Sequence, residues 1–380
     1  MKFRATTNIT RRHLGTICLC IIVAILFAGL WPRTFDLRNQ AALLPDGKGL
    51  RFSGRGIVYS PPLSVDRKAG AERGSLSMEI ALQSDREWRK YLPVIVALDN
   101  GMQCERLIVG QWRASLIIRS RRGNSCRYDR SQEIGVRDLL LPGKTRFIGI
   151  SSGPGGTAVY ADGQLKVRRK DLSLLNPDET FSGSLVLGTS VDGKHSWTGT
   201  VSALSLYDRR LSPEESLRHY EDWRDSDKAS PENESLPIAS YLFNEQAGRI
   251  VKDHSGQGND LLIPERFTLL RRSLLIPPWT DFHPSLSYAR DAAINLAGFI
   301  PFGFFLSWYL SERGMKRRNV LPAIMVLGAG TSLFIEFVQS YLPARSSQLS
   351  DLITNTAGTA IGIFLWSRFI HKLLQSEDNG

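Results

Sequence analysis

Four stretches of the 380-residue chain are apolar over the length a bilayer demands: 15–31 (GTICLCIIVAILFAGLW), and about 292–310, 320–342 and 352–370. Crossing a hydrocarbon core takes about 20 residues of helix, so this pattern predicts four transmembrane helices. Between the first and the second the period changes. Runs such as LSMEIALQ (76–83), LPVIVALD (92–99), RASLIIRS (113–120), RFIGIS (146–151) and TAVYADGQL (157–165) alternate apolar and polar positions and are separated by turn residues. Period two predicts antiparallel strands. Asn100-Gly101 and Asp162-Gly163 predict tight hairpin turns, whose two central positions favour positive φ. One helix is predicted here, SPEESLRHYEDW (212–223), with Ser212 as N-cap and Glu214 and Glu215 in its first turn. The fold class that follows is multidomain, a four-helix membrane bundle with an inserted all-β sandwich.

Charge orients these elements. The formal net charge is +11, but it concentrates beside the apolar runs. Lys2, Arg4, Arg11 and Arg12 precede the first with no acid among them, and Arg313, Lys316, Arg317 and Arg318 against Glu312 join the second to the third. Such flanks are cytoplasmic, which puts both ends inside and the middle domain outside. Ala28 and Gly29 offer a weak signal-peptide cleavage site, so an uncleaved first helix is expected. Residues 33–291 hold 37 basic and 32 acidic residues with no nucleic-acid motif, so no nucleic-acid partner is expected. Cys104 and Cys126, the cysteines outside the first span, can form one disulfide in an oxidising compartment. Two buried free thiols are the alternative, because spacing alone does not fix disulfide geometry.

The middle domain resembles the laminin-G-like or concanavalin A-like jelly roll. GLRFSGRGIVYS (49–60) is similar to its early strand, LSMEIALQ to the following core strand, and FSGSLVLGTSVDGKHSWTGTVSALSLYDRRLSPEE (181–215) to its closing strands and short helix. The family's opening strand, with its Asp-x-Ser-Gly-x-x-Asn turn, is absent before residue 49 and stands instead at 238–264, IASYLFNEQAGRIVKDHSGQGNDLLIP. A circular permutation accounts for this. The resemblance implies glycan or protein binding, sometimes with calcium. Asp253, Asn259 and Asp260 carry oxygens suited to a hard cation, or act as turn formers beside Gly256 and Gly258. Trp88, Trp112 and Trp197 are candidates to stack on sugars, with core packing the better expectation for at least two. His195 and His254 lack metal-ligand spacing and are expected to be ordinary loop histidines.

The apolar helices carry polar residues in pairs. Asp291 and Asn295, Glu336 and Gln339, and Asp351 and Asn355 are spaced three or four apart, so each pair shares a helix face. All three pairs fall at the external end of their spans, with Arg345 in the loop between the last two. Ionisable groups in apolar helices are costly and face one another or a cavity. DAAINLAGFIPFGFF (291–305) and SLFIEFVQSYLPARSSQLSDLITNTAGTAIG (332–362) resemble the VanZ-like membrane family, whose pattern is Asp and Asn before Phe-x-Pro-x-Gly, then Glu-x-x-Gln, Arg, Asp and Asn-x-x-Gly. That family takes its name from an accessory factor in glycopeptide resistance, and relatives accompany envelope polysaccharide systems. The expected organisation is a cytoplasmic basic tail (1–14), transmembrane helix 1 (15–31), an exported jelly roll (36–264), a juxtamembrane linker (265–290), a VanZ-like three-helix segment (291–371) and a cytoplasmic tail (372–380).

Two functional readings follow. One is a non-enzymatic, multi-pass protein of the bacterial cytoplasmic membrane that presents a glycan- or protein-binding jelly roll outside, in envelope polysaccharide processes or antibiotic resistance. The other is an enzyme or carrier acting on lipid-linked envelope intermediates through the carboxylate cluster. The absence of a Ser-His-Asp, zinc or phosphate-loop pattern favours the first. Expected partners are membrane lipid and an envelope glycan or protein, and calcium is the cofactor to test. The bland reading of the polar set is interhelical hydrogen bonding, with Gly298, Gly303, Gly358 and Gly362 allowing close contact.

Overall fold

The computed structural model describes residues 8–31, 38–63, 73–89, 91–101, 105–121, 131–176, 183–225, 237–272, 274–278, 286–342, 345 and 347–378. The chain forms two compact units, one of Met1–Phe35 with Arg272–Gly380, the other Asp36–Arg271.

The second unit is a β-sandwich. In chain order its strands are β1 (Ala41–Leu43), β2 (Leu50–Phe52), β3 (Val58–Tyr59), β4 (Leu76–Ser84), β5 (Val94–Asp99), β6 (Leu107–Trp112), β7 (Ser115–Arg121) and β8 (Ser131–Val136). There follow β9 (Thr145–Gly153), β10 (Gly156–Ala161), β11 (Gln164–Arg169), β12 (Ser184–Leu187), β13 (Gly199–Tyr207), β14 (Ala239–Tyr241), β15 (Ile250–Val251) and β16 (Leu261–Leu262). One sheet runs β1-β2-β13-β4-β9-β10-β11, with β14 also on β13, and the other β15-β16-β3-β12-β5-β6-β7-β8. Their inner faces meet in a core that includes Phe52, Ile80, Leu98, Leu116, Leu187 and Trp197. Fully burying a side chain such as Ile80 is worth about 1.5–3 kcal/mol, so this apolar layer supplies the driving force for the fold.

The segment 238–264 contributes to both sheets. β14 pairs the C-terminal half of β13 (Leu204↔Tyr241), beyond the stretch that pairs β2 (Thr200↔Arg51), and β16 meets β3 at Tyr59. The unit also runs past the expected boundary at 264, because Phe267 packs with Ile57, Ala97, Ile108 and Val186 on the outer face of the second sheet.

Local signals are borne out unevenly. Asp162 and Gly163 (φ +52° and +74°) form the two-residue turn between β10 and β11, and Asp162 also accepts from Phe147 N and pairs with Arg146. Asn100-Gly101 does not make a tight hairpin. Gly101 has φ +76°, yet β5 ends at Asp99 and β6 begins at Leu107, so the pair opens a longer connection. Helix α2 (Pro213–Asp225) starts with a reciprocal cap in which Glu215 N donates to Ser212 Oγ and Ser212 N to Glu215 Oε2.

The first unit contains α1 (Asn8–Leu30), α3 (Leu286–Glu312), α4 (Arg317–Gln339) and α5 (Leu349–Asp378). Three of these have segments long and apolar enough to cross a membrane, Arg12–Leu30, Tyr288–Glu312 and Arg318–Gln339. α5 falls short on composition, because Asp351, Asn355, Thr354, Thr356 and Thr359 dilute its apolar content. Phe299, Phe302, Val320, Ile324, Ile335, Ile363 and Trp366 fill the interior, whereas Leu19, Val23, Phe27, Val326, Phe334, Phe337, Ile353 and Phe364 face outward.

Candidate functional site

Much of the expected polar set gathers at one end of the helices. α3 and α5 begin there and α4 ends there, so Asp291 and Asn295, Glu336, and Asp351 come from three different chain segments. Glu336 is 1% exposed. Its Oε2 accepts from Gln348 N at 2.7 Å, just before the start of α5, and it also bonds the buried Ser347 hydroxyl. A carboxylate placed there satisfies an otherwise orphaned backbone donor at a helix N-terminus, where negative charge is favoured. Asp351, in the first turn of α5, hydrogen-bonds Asn295 and lies within electrostatic reach of Asp291, Arg345 and Glu336. Asp291 itself is exposed, at the rim.

The remaining members have other partners. Gln339 Nε2 donates to Gly29 O at 2.8 Å, and Arg345 Nη2 donates to Ala28 O and Trp31 O at 3.3 and 3.1 Å. Both side chains therefore satisfy carbonyls at the C-terminal end of α1, where a cation is also electrostatically favoured. Asn355, 4% exposed, donates to Ser332 Oγ at 2.9 Å, and its Oδ1 is buried without a partner.

Ser332, Ser347, Gln348 and the segment 274–278 have no counterpart in the sequence expectation. Ile276 bridges Gln348 in parallel fashion, Ile276 N donates to Ser347 O, Leu349 N to Ile276 O, and Leu275 N to Ser347 Oγ. This strand-like strut braces the loop that presents Glu336's partners. The doublet Pro277-Pro278, which cannot continue a helix, was its one visible signal.

In the β unit, Asp253, Asn259 and Asp260 form a hydrogen-bonded turn. Asp253 Oδ1 accepts from Ser240 N and Ser255 N, and Oδ2 from Ser255 Oγ and Asn259 N. Asp260 accepts from Asp253 N and Lys252 Nζ, which holds its carboxyl below the usual range, and Asn259 Nδ2 donates to Ile238 O. Every carboxylate oxygen of the two aspartates is thus engaged by the chain itself. Among the described residues no group of three or more His, Cys, Asp or Glu is placed to hold a metal ion.

Trp197 is fully buried and donates through Nε1 to Gln111 Oε1. Gln111, also fully buried, accepts from Ser84 as well and donates to Arg86 O and Arg113 O, so its amide is satisfied on both sides. Trp88 is half-buried beneath Arg86 and beside Tyr91, whereas Trp112 is 40% exposed at the end of β6. His195 packs on Tyr91, and burial pushes its pKa down. His254 is exposed, and its backbone N donates to Ser240 O. Cys104 and Cys126 lie outside the described residues, so the disulfide stays an expectation.

Residues 238–371 match the VanZ/LLP1 family model. The match begins in the β unit at β14 and takes in α3, α4, most of α5 and the whole polar set of the C-terminal helices. Among curated proteins none matches the chain. Three solved structures resemble it at low identity. A Bacteroides ovatus protein described as carbohydrate-binding has 16% identity and a TM-score of 0.38, covering 60% of this chain and 61% of its own. The CBM40 domain of a Ruminococcus gnavus IT-sialidase, bound to α2,3-sialyllactose, has 12% identity and 0.34, covering 46% of this chain and 96% of its own. An SAP-like pentraxin of Limulus polyphemus has 16% identity and 0.31, covering 43% and 81%. The chain spans less than two thirds of the Bacteroides protein's length. At these scores the likenesses carry no functional argument.

Proposed function

We propose that the chain is a multi-pass envelope protein of the bacterial cytoplasmic membrane, with α1, α3, α4 and α5 as its spans and the β unit outside the cytoplasm. The observation that carries this is the separation of two chemistries along one helix group. The basic loop with Arg313, Lys316, Arg317 and Arg318 lies where α3 ends and α4 begins, while Asp291, Asn295, Glu336 and Asp351 gather at the opposite end. About 20 residues of helix separate the ends, a bilayer's thickness, and the positive end belongs inside. Outward-facing Val326, Phe334, Phe337 and Phe364 suit lipid rather than water. The VanZ/LLP1 match over these helices supports the same reading.

The β unit is then a recognition module for an envelope glycan or protein. Its exposed Trp112 offers an aromatic face of the kind that sugar rings stack on. Its strand arrangement supports the permuted jelly roll, since β14 and β16 join the two sheets beside β2 and on β3.

The second reading, an enzyme or carrier for lipid-linked intermediates, is favoured by the gradation from exposed Asp291 to buried Glu336, which leaves the carboxylate cluster open at one side. Alkaline-phosphatase fusions test the common framework. Fusions after residue 150 should be active and fusions after residue 375 inactive, and the reverse pattern would overturn the topology and with it the external placement of the polar set.

A further inference from the structure

At the polar end of the helices, two carboxyls stand one turn above a buried amide. Asp351 and Asn355 are four apart on α5, and Ser332 and Glu336 are four apart on α4, so each pair shares a helix face. Asn355 Nδ2 donates to Ser332 Oγ at 2.9 Å, which sets the amide between α4 and α5, one turn deeper than the two acids. Its Oδ1 is a buried acceptor that receives no hydrogen bond. Desolvating an amide oxygen without a donor is unfavourable, so this place calls for a donor.

Beneath the amide the bundle is closed. Thr359, one turn further along α5, is fully buried, and a Cβ on Gly303 of α3 would lie 2.2 Å from its carbonyl oxygen and one on Gly328 of α4 2.5 Å from its hydroxyl. Above the amide, exposure grades from buried Glu336 through half-buried Asp351 to exposed Asp291, so the recess opens toward the polar end. Its charges do not balance. Arg290 lies 3.8 Å from Asp291, and Arg345, which donates to Ala28 O and Trp31 O, is in electrostatic reach of Asp351. Among the described residues no cation acts on Glu336, whose charged neighbour is Asp351, a like charge. Pro343, Ala344 and Ser346, the residues of the α4–α5 connection outside the described set, are not ionisable.

The fitting ligand brings positive charge and several donors and needs no donor in return. A primary ammonium has three N–H donors and no acceptor. No three acids among the described residues are gathered as a metal ion requires, whereas an ammonium on an aliphatic arm can bond carboxylates from separate helices. We infer that this recess binds a primary ammonium group, with Glu336 and Asp351 as its counter-charges and Asn355 Oδ1 as the acceptor at its base. This rests on the reading of the cluster as a site for lipid-linked intermediates and names the ligand chemistry. The ammonium comes either from an aminolipid headgroup entering from the bilayer or from a water-soluble amine such as an amino sugar.

The test uses the full chain in nanodiscs of phosphatidylcholine, whose quaternary ammonium has no N–H to donate. In one arm phosphatidylethanolamine replaces part of the phosphatidylcholine, and native mass spectrometry counts the lipids each protein retains. In the other, glucosamine is titrated against its neutral counterpart N-acetylglucosamine by calorimetry. The wild type should prefer phosphatidylethanolamine over phosphatidylcholine, or glucosamine over N-acetylglucosamine, by about tenfold or more, and the arm that responds names the source. Glu336→Gln, Asp351→Asn and Asn355→Leu should each lose the preference, while Glu312→Gln, at the other end of α3, should keep it. Absence of preference in both arms, or a preference that Glu336→Gln and Asn355→Leu retain, would overturn the inference. A rise in melting temperature with sodium or magnesium chloride alone that Glu336→Gln abolishes would also overturn it, making the cluster an inorganic cation site. If Glu336→Gln fails to complement a deletion strain while neither amine is preferred, the ligand-site reading stands and the ammonium is removed from it.

Discussion

A Cβ added to Gly303 would lie 2.2 Å from Thr359 O, one on Gly358 2.2 Å from Leu296 O, and one on Gly362 2.2 Å from Ile300 O. These three glycines are what lets α3 and α5 touch along their backbones, as small residues do in membrane bundles. Gly298, singled out by the same sequence logic, meets nothing within 4 Å. Periodicity places a glycine on a face but does not say which neighbour that face will meet. The same holds for Glu79, whose run LSMEIALQ reads as a strand with a polar residue facing water. It is 4% exposed, because α2 lies over it, with His219 Nδ1 at 2.7 Å and the Tyr207 hydroxyl at 3.2 Å. Burial raises its pKa, against the opposing pull of His219 and Tyr207, with Glu215 on α2 adding to the rise. A raised folded-state value means that the contribution of Glu79 to stability is fully present below the ordinary carboxylate range and is lost as pH rises through the raised value. Thermal melts of the β unit within the full chain should therefore fall across that window, and Glu79→Gln should flatten the dependence. A wild-type melting temperature that climbs there would contradict this account.

Whole elements were legible where local chemistry decides them. The alternating runs became β4, β5, β7, β9 and β10, and Ser212 with Glu215 fixed the start of α2, a cap worth about 1 kcal/mol. Very short strands such as β15 and β16 were not separately readable, since two residues carry no period and owe their pairing to the sheet they join. Asn100-Gly101 failed for a related reason: the dipeptide favours a turn but does not set the length of the connection that contains it. The C-terminal strands give a prediction at this scale. Ile238, Ala239, Tyr241, Phe243, Val251, Leu261 and Ile263 are each at most 5% exposed, and Tyr241 donates to Asn259 O at 2.6 Å. At about 1.5–3 kcal/mol for each large apolar side chain, their combined burial rivals the 5–15 kcal/mol that holds a typical domain together. A fragment of residues 36–235 should therefore fail to unfold cooperatively, whereas 36–271 should do so. Matching denaturation curves for the two would show that 238–264 is dispensable and would remove the support for a permutation.

At the scale of the molecule, the three polar pairs were visible as spacing, but their partners were not. That Asp351 would bond Asn295, and that Gln339 and Arg345 would reach carbonyls of α1 more than 300 residues earlier, depends on helix packing no local pattern encodes. Glu336→Gln discriminates the uses of the cluster, because the amide oxygen can still accept from Gln348 N while the charge is gone. If the carboxylates bind a ligand, the variant should reach normal membrane levels yet fail to complement a deletion strain. Interhelical hydrogen bonds average only about 0.6 kcal/mol, so full complementation by Glu336→Gln, Asp291→Asn and Asp351→Asn would indicate a structural cluster. The β unit meanwhile joins its own ends. Arg38 bridges Arg266 in antiparallel fashion, Asn39 N donates to Glu265 O, and the Asn39 side chain donates to Pro264 O. For the helices on either side, an insert spanning Asp36–Arg271 behaves topologically as a connection of a few residues. An unstructured loop of that length would be about six doublings longer than a tight one, and at about 0.6 kcal/mol per doubling it would add roughly 3–4 kcal/mol of closure entropy to bundle assembly. Zipping its ends together removes that cost, so a large folded module sits between two long apolar helices with little entropic penalty to their association.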